Sequence, residues 1–284
     1  MKTVQLKNGI QIPSIGLGTW KISDRQEMFA TIDNAYAYGY RLFDTAAAYG
    51  NEIALGKAIR ELGIPREELL IQDKLWNTCF GYIEAQEACK RSLRKLKVDY
   101  LDVYLVHWPA VSKTYGDRWR MINEETWKGF EKLYEEGYVK VIGVCNFRPH
   151  HLEELHRTAE IMPQINQIEF HPGMIQDETI SYCREKEIQI EASSPLGNGR
   201  ILSNDILCKL AEKKGVSTAG LCLKWALKHN AVVIPKTTKA VRLKENIQLD
   251  DFDLSEQEMA MIDSLSFCGG LNIDPDKEID FNEL

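Results

Sequence analysis

Residues 69–109 read LLIQDKLWNTCFGYIEAQEACKRSLRKLKVDYLDVYLVHWP and hold two apolar runs on either side of an amphipathic stretch. The runs 69–75 and 101–106 are rich in Leu, Ile, Val and Tyr, which predicts buried strands. Between them, residues 82–96 repeat apolar positions at about 3.6 residues per turn, which predicts a helix. These positions are Ile83, Cys89, Leu93 and Leu96. A strand, a helix and a strand in this order are typical of a parallel βαβ unit.

The same alternation continues along the whole chain. It starts with a predicted β-hairpin at residues 4–12, because Asn8-Gly9 between alternating apolar residues is a strong turn signal. Eight βα units within 284 residues suit a (β/α)8 TIM barrel, an α/β fold that takes about 250 residues. The eight predicted barrel strands are 14–17, 41–43, 69–75, 101–106, 139–144, 164–168, 188–192 and 232–234.

The predicted helices fill the segments between these strands. Extra C-terminal helices are predicted at 245–248 and 255–265, the second because Ser255 and Glu258 have the spacing of a capping box. No Pro/Gly/Ser-rich linker divides the sequence, so residues 1–284 are predicted to form a single barrel domain. The other predicted helices are 24–38, 52–61, 82–96, 124–136, 149–158, 177–187 and 218–229.

The composition excludes several classes of protein. The formal net charge of −7 argues against nucleic acid and anionic membranes as partners. No apolar run approaches the roughly 20 residues of a membrane span, and the first residues do not resemble a signal peptide. The seven Cys form no CxxC pair, which argues against a zinc ribbon or a disulfide framework. We therefore expect a reduced, cytoplasmic, monomeric protein with no metal site.

Three successive predicted strands end in side chains that can carry chemistry. In a TIM barrel the active site lies at the carboxyl ends of the strands, and neighbouring strands are about 5 Å apart. Asp44, Lys74 and His107 should therefore face one pocket, with Tyr49 above them at the start of the next helix. Glycine or asparagine often caps a strand end for structural reasons, but a carboxylate, an ammonium and an imidazole in succession indicate function.

These four side chains suit proton transfer. A phenol titrates near 10, and a nearby ammonium favours the phenolate and lowers that pKa. Asp44 would keep Lys74 charged and oriented, because an unpaired buried ammonium is unfavourable. His107 would donate a hydrogen bond to a substrate oxygen. The set predicts that Tyr49 donates a proton to a developing alkoxide.

Other readings of the motifs are weaker. Gly16-x-Gly18 lacks the third glycine of a dinucleotide fingerprint. Tyr182 and Lys186 have the spacing used by short-chain dehydrogenases, but no glycine-rich loop accompanies them. A TIM-barrel hydrolase would need paired carboxylates at the strand ends, where only Asp44 and Glu169 are found.

Eight motifs, in this order, resemble the aldo-keto reductase superfamily over residues 5–265. The similarity is greatest to the prokaryotic and protozoan branch that contains 2,5-diketo-gluconate reductases and prostaglandin F synthases. The motifs are GLGTW, FDTAAAYGNE, KLW, LVHWP, GVCNF, NQIEFHP, SSPLG and IPKTTKAVRLKEN.

The resemblance implies NADPH-dependent reduction of small-molecule aldehydes or ketones to alcohols. The alternative is a member of the fold that binds the cofactor for a regulatory or structural role with little turnover. Asp44, Tyr49, Lys74 and His107 match the catalytic tetrad of the family. The implied substrate-binding residues are Trp20, Tyr49, Trp76, His107 and Trp108. The implied cofactor-binding residues are Gly18, Thr19, Trp20, Asp44, Cys145, Asn146, Gln167, Ser193, Ser194, Pro195, Leu196, Gly197, Lys236, Thr237, Thr238, Arg242, Glu245 and Asn246.

Two of these residues depart from the family pattern. Cys145 stands where Ser is usual, and Ser193 stands where Tyr or Trp usually stacks on the nicotinamide ring. An aromatic side chain can bury roughly 150–250 Å², so its absence should loosen the ring pocket. Ser193→Tyr is therefore expected to tighten NADPH binding. A fluorescence titration that gives equal or weaker affinity for the variant would reject this expectation.

Overall fold

The computed structural model describes residues 2–277. Eight parallel strands lie side by side in chain order and form a (β/α)8 barrel. The first and last strands are joined, because the Gly16 N–H donates to the Val233 carbonyl over 2.9 Å. A hairpin of β1 (Thr3–Gln5) and β2 (Gln11–Pro13) precedes the barrel. The barrel strands are β3 (Leu17–Gly18), β4 (Leu42–Asp44), β5 (Leu70–Leu75), β6 (Leu101–Val106), β7 (Val139–Cys145), β8 (Ile165–Glu169), β9 (Gln189–Ser193) and β10 (Val232–Val233).

Helices cover the outside of the barrel. None of those in residues 2–277 is long and apolar enough to cross a membrane. The helices are α1 (Arg25–Ala37), α2 (Glu52–Glu61), α3 (Tyr82–Leu96), α4 (Ser112–Tyr115), α5 (Trp119–Glu135), α6 (Pro149–His156), α7 (Asp177–Glu185), α8 (Asp205–Lys214), α9 (Thr218–Lys228), α10 (Ala240–Ile247) and α11 (Glu256–Asp263).

The strands separate two apolar cores. Side chains alternate along a strand, so one set faces the helices and the other fills the barrel. The N-terminal hairpin adds Leu6 and Ile12 to the inner core. It lies at the amino ends of the strands, because the Asn8 N–H donates to Gln164 Oε1 over 3.0 Å and its side-chain amide donates to the Lys140 carbonyl. The hairpin therefore covers the amino end and leaves the carboxyl ends of the strands for ligands.

The boundaries of several helices differ from the predictions. The side chain of Ile83 is 60% exposed, so it lies off the buried face of α3. Helix α5 begins at Trp119 rather than at residue 124, and α10 begins at Ala240 rather than at residue 245. The capping box of Ser255 and Glu258 is confirmed.

Helix α8 was not predicted, although its ends carry signals in the sequence. Asn204 Oδ1 accepts from the N–H groups of Ile206 and Leu207, which is the N-cap arrangement. Gly215 ends the helix with a φ of 69°, a left-handed conformation that glycine adopts readily. The two capping residues together could have located this helix.

Candidate active site

Lys74 lies inside the barrel with no exposed surface. Its ammonium donates to Asp44 Oδ1 at the end of β4, to the Thr45 carbonyl over 3.0 Å and to the Tyr49 hydroxyl over 3.4 Å. All three of its protons therefore have acceptors. Burial disfavours the ammonium, but Asp44 and Tyr49 outweigh this effect and raise the pKa of Lys74 above its usual value. The lysine is held as a cation beneath the phenol.

Tyr49 lies on a short 3₁₀ turn, Ala47–Tyr49, and not at the start of α2 as predicted. Gly50 ends the turn with a φ of 67°, and Gly50 and Asn51 separate Tyr49 from the first residue of α2. Burial raises the pKa of Tyr49, and the opposing effect of Lys74 is smaller. The expected net lowering of this pKa is therefore wrong for the protein without ligand. The hydroxyl is protonated at neutral pH, which is the form that a general acid requires.

His107 follows β6 and faces Tyr49, with the two ring centroids 5.9 Å apart. Trp76 contacts the imidazole edge from the other side, at 5.2 Å. Burial, assisted by the charge of Lys74, lowers the pKa of His107 well below its usual value. The ring is thus neutral and can donate one hydrogen bond without carrying a charge.

A cavity of about 400 Å³ opens above these side chains. Its wall includes all five residues implied for substrate binding, which are Trp20, Tyr49, Trp76, His107 and Trp108. Three indole rings, those of Trp20, Trp76 and Trp108, form part of this wall. The C-terminal tail, residues 266–277, closes the far side with Leu271, Ile273 and Pro275.

The carboxylate of Glu169 holds the tail over the cavity. It accepts from the N–H groups of Leu271 and Asn272, each over 2.7 Å. Gly270 precedes them with a φ of 110°, and a Cβ there would lie 2.3 Å from Glu169 Oε1. A side chain at position 270 would therefore clash with this anchor.

A second anchor joins the tail to α6. Arg148 pairs with Asp274 over 3.0 Å and with Asp276 over 3.2 Å. The Arg148 backbone N–H donates to His151 Nδ1, so the neutral ring of His151 carries its proton on Nε2, which faces Asp276 over 3.1 Å. His150 contacts the same carboxylate. The arrangement makes His151 a hydrogen-bond donor rather than a metal ligand.

A second, longer groove of about 800 Å³ meets the cavity at the carboxyl end of the barrel. The cavity and the groove share Trp20, Tyr49, Gln167, Ser193, Ser194 and Leu271 as wall residues. The residues implied for cofactor binding that line this groove are Gly18, Trp20, Asp44, Gln167, Ser193, Ser194, Pro195, Leu196, Lys236, Thr237, Arg242, Glu245 and Asn246.

Five implied cofactor residues lie elsewhere. Asn146 lines the cavity, and Thr19, Cys145, Gly197 and Thr238 are absent from both walls. The hydroxyl of Thr19 donates to the Asp44 carbonyl over 2.9 Å, behind the groove. Cys145 packs in the inner core of the barrel.

The far end of the groove is cationic. Lys236 and Arg242 are both exposed on its wall. Within residues 2–277, neither has a carboxylate of Asp or Glu at ion-pair distance. Two unpaired cations at one end of a long groove suit a phosphate group, and arginine can bind it through two nitrogens.

The structure also shows two polar residues inside the barrel that were not predicted. Gln72 and Glu191 are fully buried on β5 and β9. Both contact the network around Asp44. Gln72 lies two residues before Lys74, so strand alternation places both on the inner face. This parity was the signal available in the sequence.

The family model described as "Aldo/keto reductase family" matches residues 14–266. The chain belongs to this family. It is 44% identical over 275 residues to glyoxal reductase of Bacillus subtilis, covering 97% of this chain and 96% of that protein. It is 41% identical to the 9,11-endoperoxide prostaglandin H2 reductase of Trypanosoma cruzi, over 96% of this chain and 94% of that protein. Methylglyoxal reductase DkgA of Escherichia coli is 40% identical, with 96% and 97% covered.

Among solved structures, an aldo-keto reductase from a Medee basin deep-sea metagenome library superposes with a TM-score of 0.90. The two are 37% identical, and 99% of this chain and all of the other are covered. The family and these relatives support an oxidoreductase activity on carbonyl groups with a nicotinamide cofactor.

Proposed function

We propose that this aldo-keto reductase uses NADPH to reduce aldehydes and ketones to alcohols, with Tyr49 as the general acid. The observation that supports this most is the hydrogen bond between Lys74 Nζ and the Tyr49 hydroxyl, 3.4 Å long, at the cavity wall. A protonated phenol backed by a fixed cation is the arrangement that proton donation to an alkoxide requires.

Each residue of the tetrad has one role in this proposal. Bound NADPH supplies the hydride that the carbonyl carbon accepts. The Tyr49 hydroxyl gives its proton to the carbonyl oxygen and becomes a phenolate. Lys74 stabilises that phenolate, and Asp44 keeps Lys74 charged. His107, being neutral, donates a hydrogen bond that orients the carbonyl oxygen.

The groove offers a place for each part of the coenzyme. Asn146, on the cavity wall, and Gln167 would hold the carboxamide, and Ser194, Pro195 and Leu196 would run beside the pyrophosphate. Lys236 and Arg242 would hold the 2′-phosphate, a group that NADH lacks, with Thr237, Glu245 and Asn246 near the adenine. These two cations have no ion-pair partner in the described part of the chain, which supports NADPH over NADH.

The substrate class is proposed from the cavity and the relatives. A volume of about 400 Å³ with three indole rings accommodates a small carbonyl compound or an aromatic aldehyde. Two of the relatives are named for glyoxal and methylglyoxal, so 2-oxoaldehydes belong in the first substrate panel.

Coenzyme oxidation measured with an aromatic aldehyde, glyoxal and methylglyoxal tests this function. We expect turnover with NADPH and much less with NADH. Arg242→Ala should weaken NADPH binding by about tenfold, because one charge-assisted contact is lost, and leave NADH binding unchanged. Tight NADPH binding without turnover on the whole panel would instead favour the regulatory alternative.

A further inference from the structure

Two carboxylates meet inside the barrel through a pair of side-chain amides. Gln72 Nε2 donates to Asp44 Oδ1 over 2.8 Å and to Glu191 Oε1 over 2.5 Å. Gln167 Nε2 donates to the same two oxygens, over 3.3 Å to Asp44. Each amide group thus donates one N–H to each of the two carboxylates. The fully buried Glu191 and the nearly buried Asp44 are one amide apart.

This pairing fixes which way the amide of Gln167 points. Its nitrogen is directed at the carboxylates, so its carbonyl oxygen is the atom left for the groove and the cavity, both of which Gln167 lines. Without the acceptor on Glu191, Gln167 would keep only its 3.3 Å contact to Asp44. Glu191 thereby fixes the Gln167 amide with its carbonyl oxygen towards the groove, where it would accept a hydrogen bond from the nicotinamide carboxamide.

Asp44, Glu191 and Lys74 form a group inside the barrel with two carboxylates and one ammonium. Lys74 already pairs with Asp44, and no Lys, Arg or His of the described residues 2–277 forms an ion pair with Glu191. The charges of Asp44 and Lys74 shift the pKa of Glu191, and the charge of Glu191 in turn contributes to the raised pKa of the Cys145 thiol. Within residues 2–277, neither Glu191 Oε2 nor Gln72 Oε1 has a hydrogen-bond partner. A proton on Glu191 would remove the excess charge.

We propose that Glu191 is a positioning residue that orients Gln167 for the nicotinamide carboxamide and exchanges a proton according to the charge of the bound nicotinamide ring. This inference rests on the proposed coenzyme site. Glu191 touches neither reactant and acts through Gln167.

The direction of the effect follows from linkage. Burial, followed by the charge of Asp44, raises the pKa of Glu191 to about 7. A positive nicotinamide ring favours the carboxylate and lowers this pKa, so binding of NADP⁺ releases a proton near neutral pH. Affinity for NADP⁺ should therefore rise as pH rises through 7. The ring of NADPH is uncharged and should produce no such change.

The test is the ratio of the dissociation constants for NADP⁺ and NADPH, measured by calorimetry between pH 6 and pH 8. The 2′-phosphate titrates in both coenzymes, so its effect cancels in the ratio. We expect the ratio to fall about threefold to tenfold across this range in the unchanged protein. Glu191→Gln keeps an acceptor for both amides but cannot ionise, so its ratio should be flat.

Glu191→Leu removes the acceptor as well, and should weaken both coenzymes by about fivefold, since one neutral hydrogen bond is worth about 1 kcal/mol. Asp73→Asn is the matched control. Burial also raises the pKa of Asp73 to about 7, but this carboxylate lies near Glu52 and Ser92, away from Gln167. This variant should keep the pH-dependent ratio.

Two results would overturn the inference. One is a flat ratio in the unchanged protein, and the other is a pH-dependent ratio that survives in Glu191→Gln. If a variant does not fold, the infrared band of a protonated carboxyl in isotope-labelled unchanged protein decides the matter, because it should weaken when NADP⁺ binds at pH 7. A protein that binds neither coenzyme would contradict the proposed function itself.

Discussion

Tyr49→Phe is expected to lower kcat for carbonyl reduction by about 100- to 10,000-fold, because the general acid is removed while the ring remains. The phenyl ring keeps its edge contact with His107, so the cavity wall is preserved. Affinity for NADPH should change little. Single-turnover reduction of an aromatic aldehyde, followed by the loss of coenzyme absorbance, measures the chemical step directly.

Tyr182→Phe is the matched control for this experiment. Tyr182 lies on α7 beside Lys186, whose ammonium pairs with Glu185 over 3.0 Å on the surface. Its hydroxyl is remote from the tetrad, so kcat should stay at the level of the unchanged protein. A Tyr49→Phe variant with normal single-turnover rates would show that another group supplies the proton.

Lys74→Met should abolish most activity and also destabilise the fold. Its removal leaves the Asp44 carboxylate buried with only amide donors, and breaking a buried ion pair costs about 3–5 kcal/mol. The phenolate of Tyr49 also loses its cation, so kcat should fall by about 100-fold or more. Chemical denaturation and single-turnover kinetics measure the two effects separately.

A double variant separates charge pairing from catalysis. Asp44→Asn combined with Lys74→Met removes both partners of the ion pair, so much of the lost free energy of unfolding should return. Activity should remain low, because the cation beneath Tyr49 is still missing. Lys2→Met is the control for stability. Its pair with Asp250 is about 70% exposed on both sides, and its loss should cost less than about 1 kcal/mol.

The strand ends could be predicted because two local rules agree there. Apolar alternation locates a strand, and parallel strands of a barrel bring their carboxyl ends to one mouth. Asp44, Lys74 and His107 meet as expected for this reason. Which individual residues at these ends line the groove is harder to predict, because neighbouring residues of a strand point to opposite faces. Thr19 and Cys145 were assigned to the coenzyme, yet neither lines the groove.

The contacts of the tail and of the carboxylates inside the barrel could not be predicted from such local rules. Glu169 contacts Leu271 across 102 positions of sequence, and Arg148 contacts Asp276 across 128. No local pattern encodes a contact at that separation. Glu191 was hidden for another reason. Gln189 and Glu191 alternate with apolar residues in the run 188–192, and this pattern is equally typical of a strand with one face in water.

Leu271 has a consequence for anyone who engineers this enzyme. One side chain forms part of both the reaction cavity and the long groove. Grafting a tail from a relative to alter substrate choice will therefore also alter the walls that the coenzyme meets. Selection schemes that vary residues 271–275 need to screen the two affinities together, because the fold gives them a common wall.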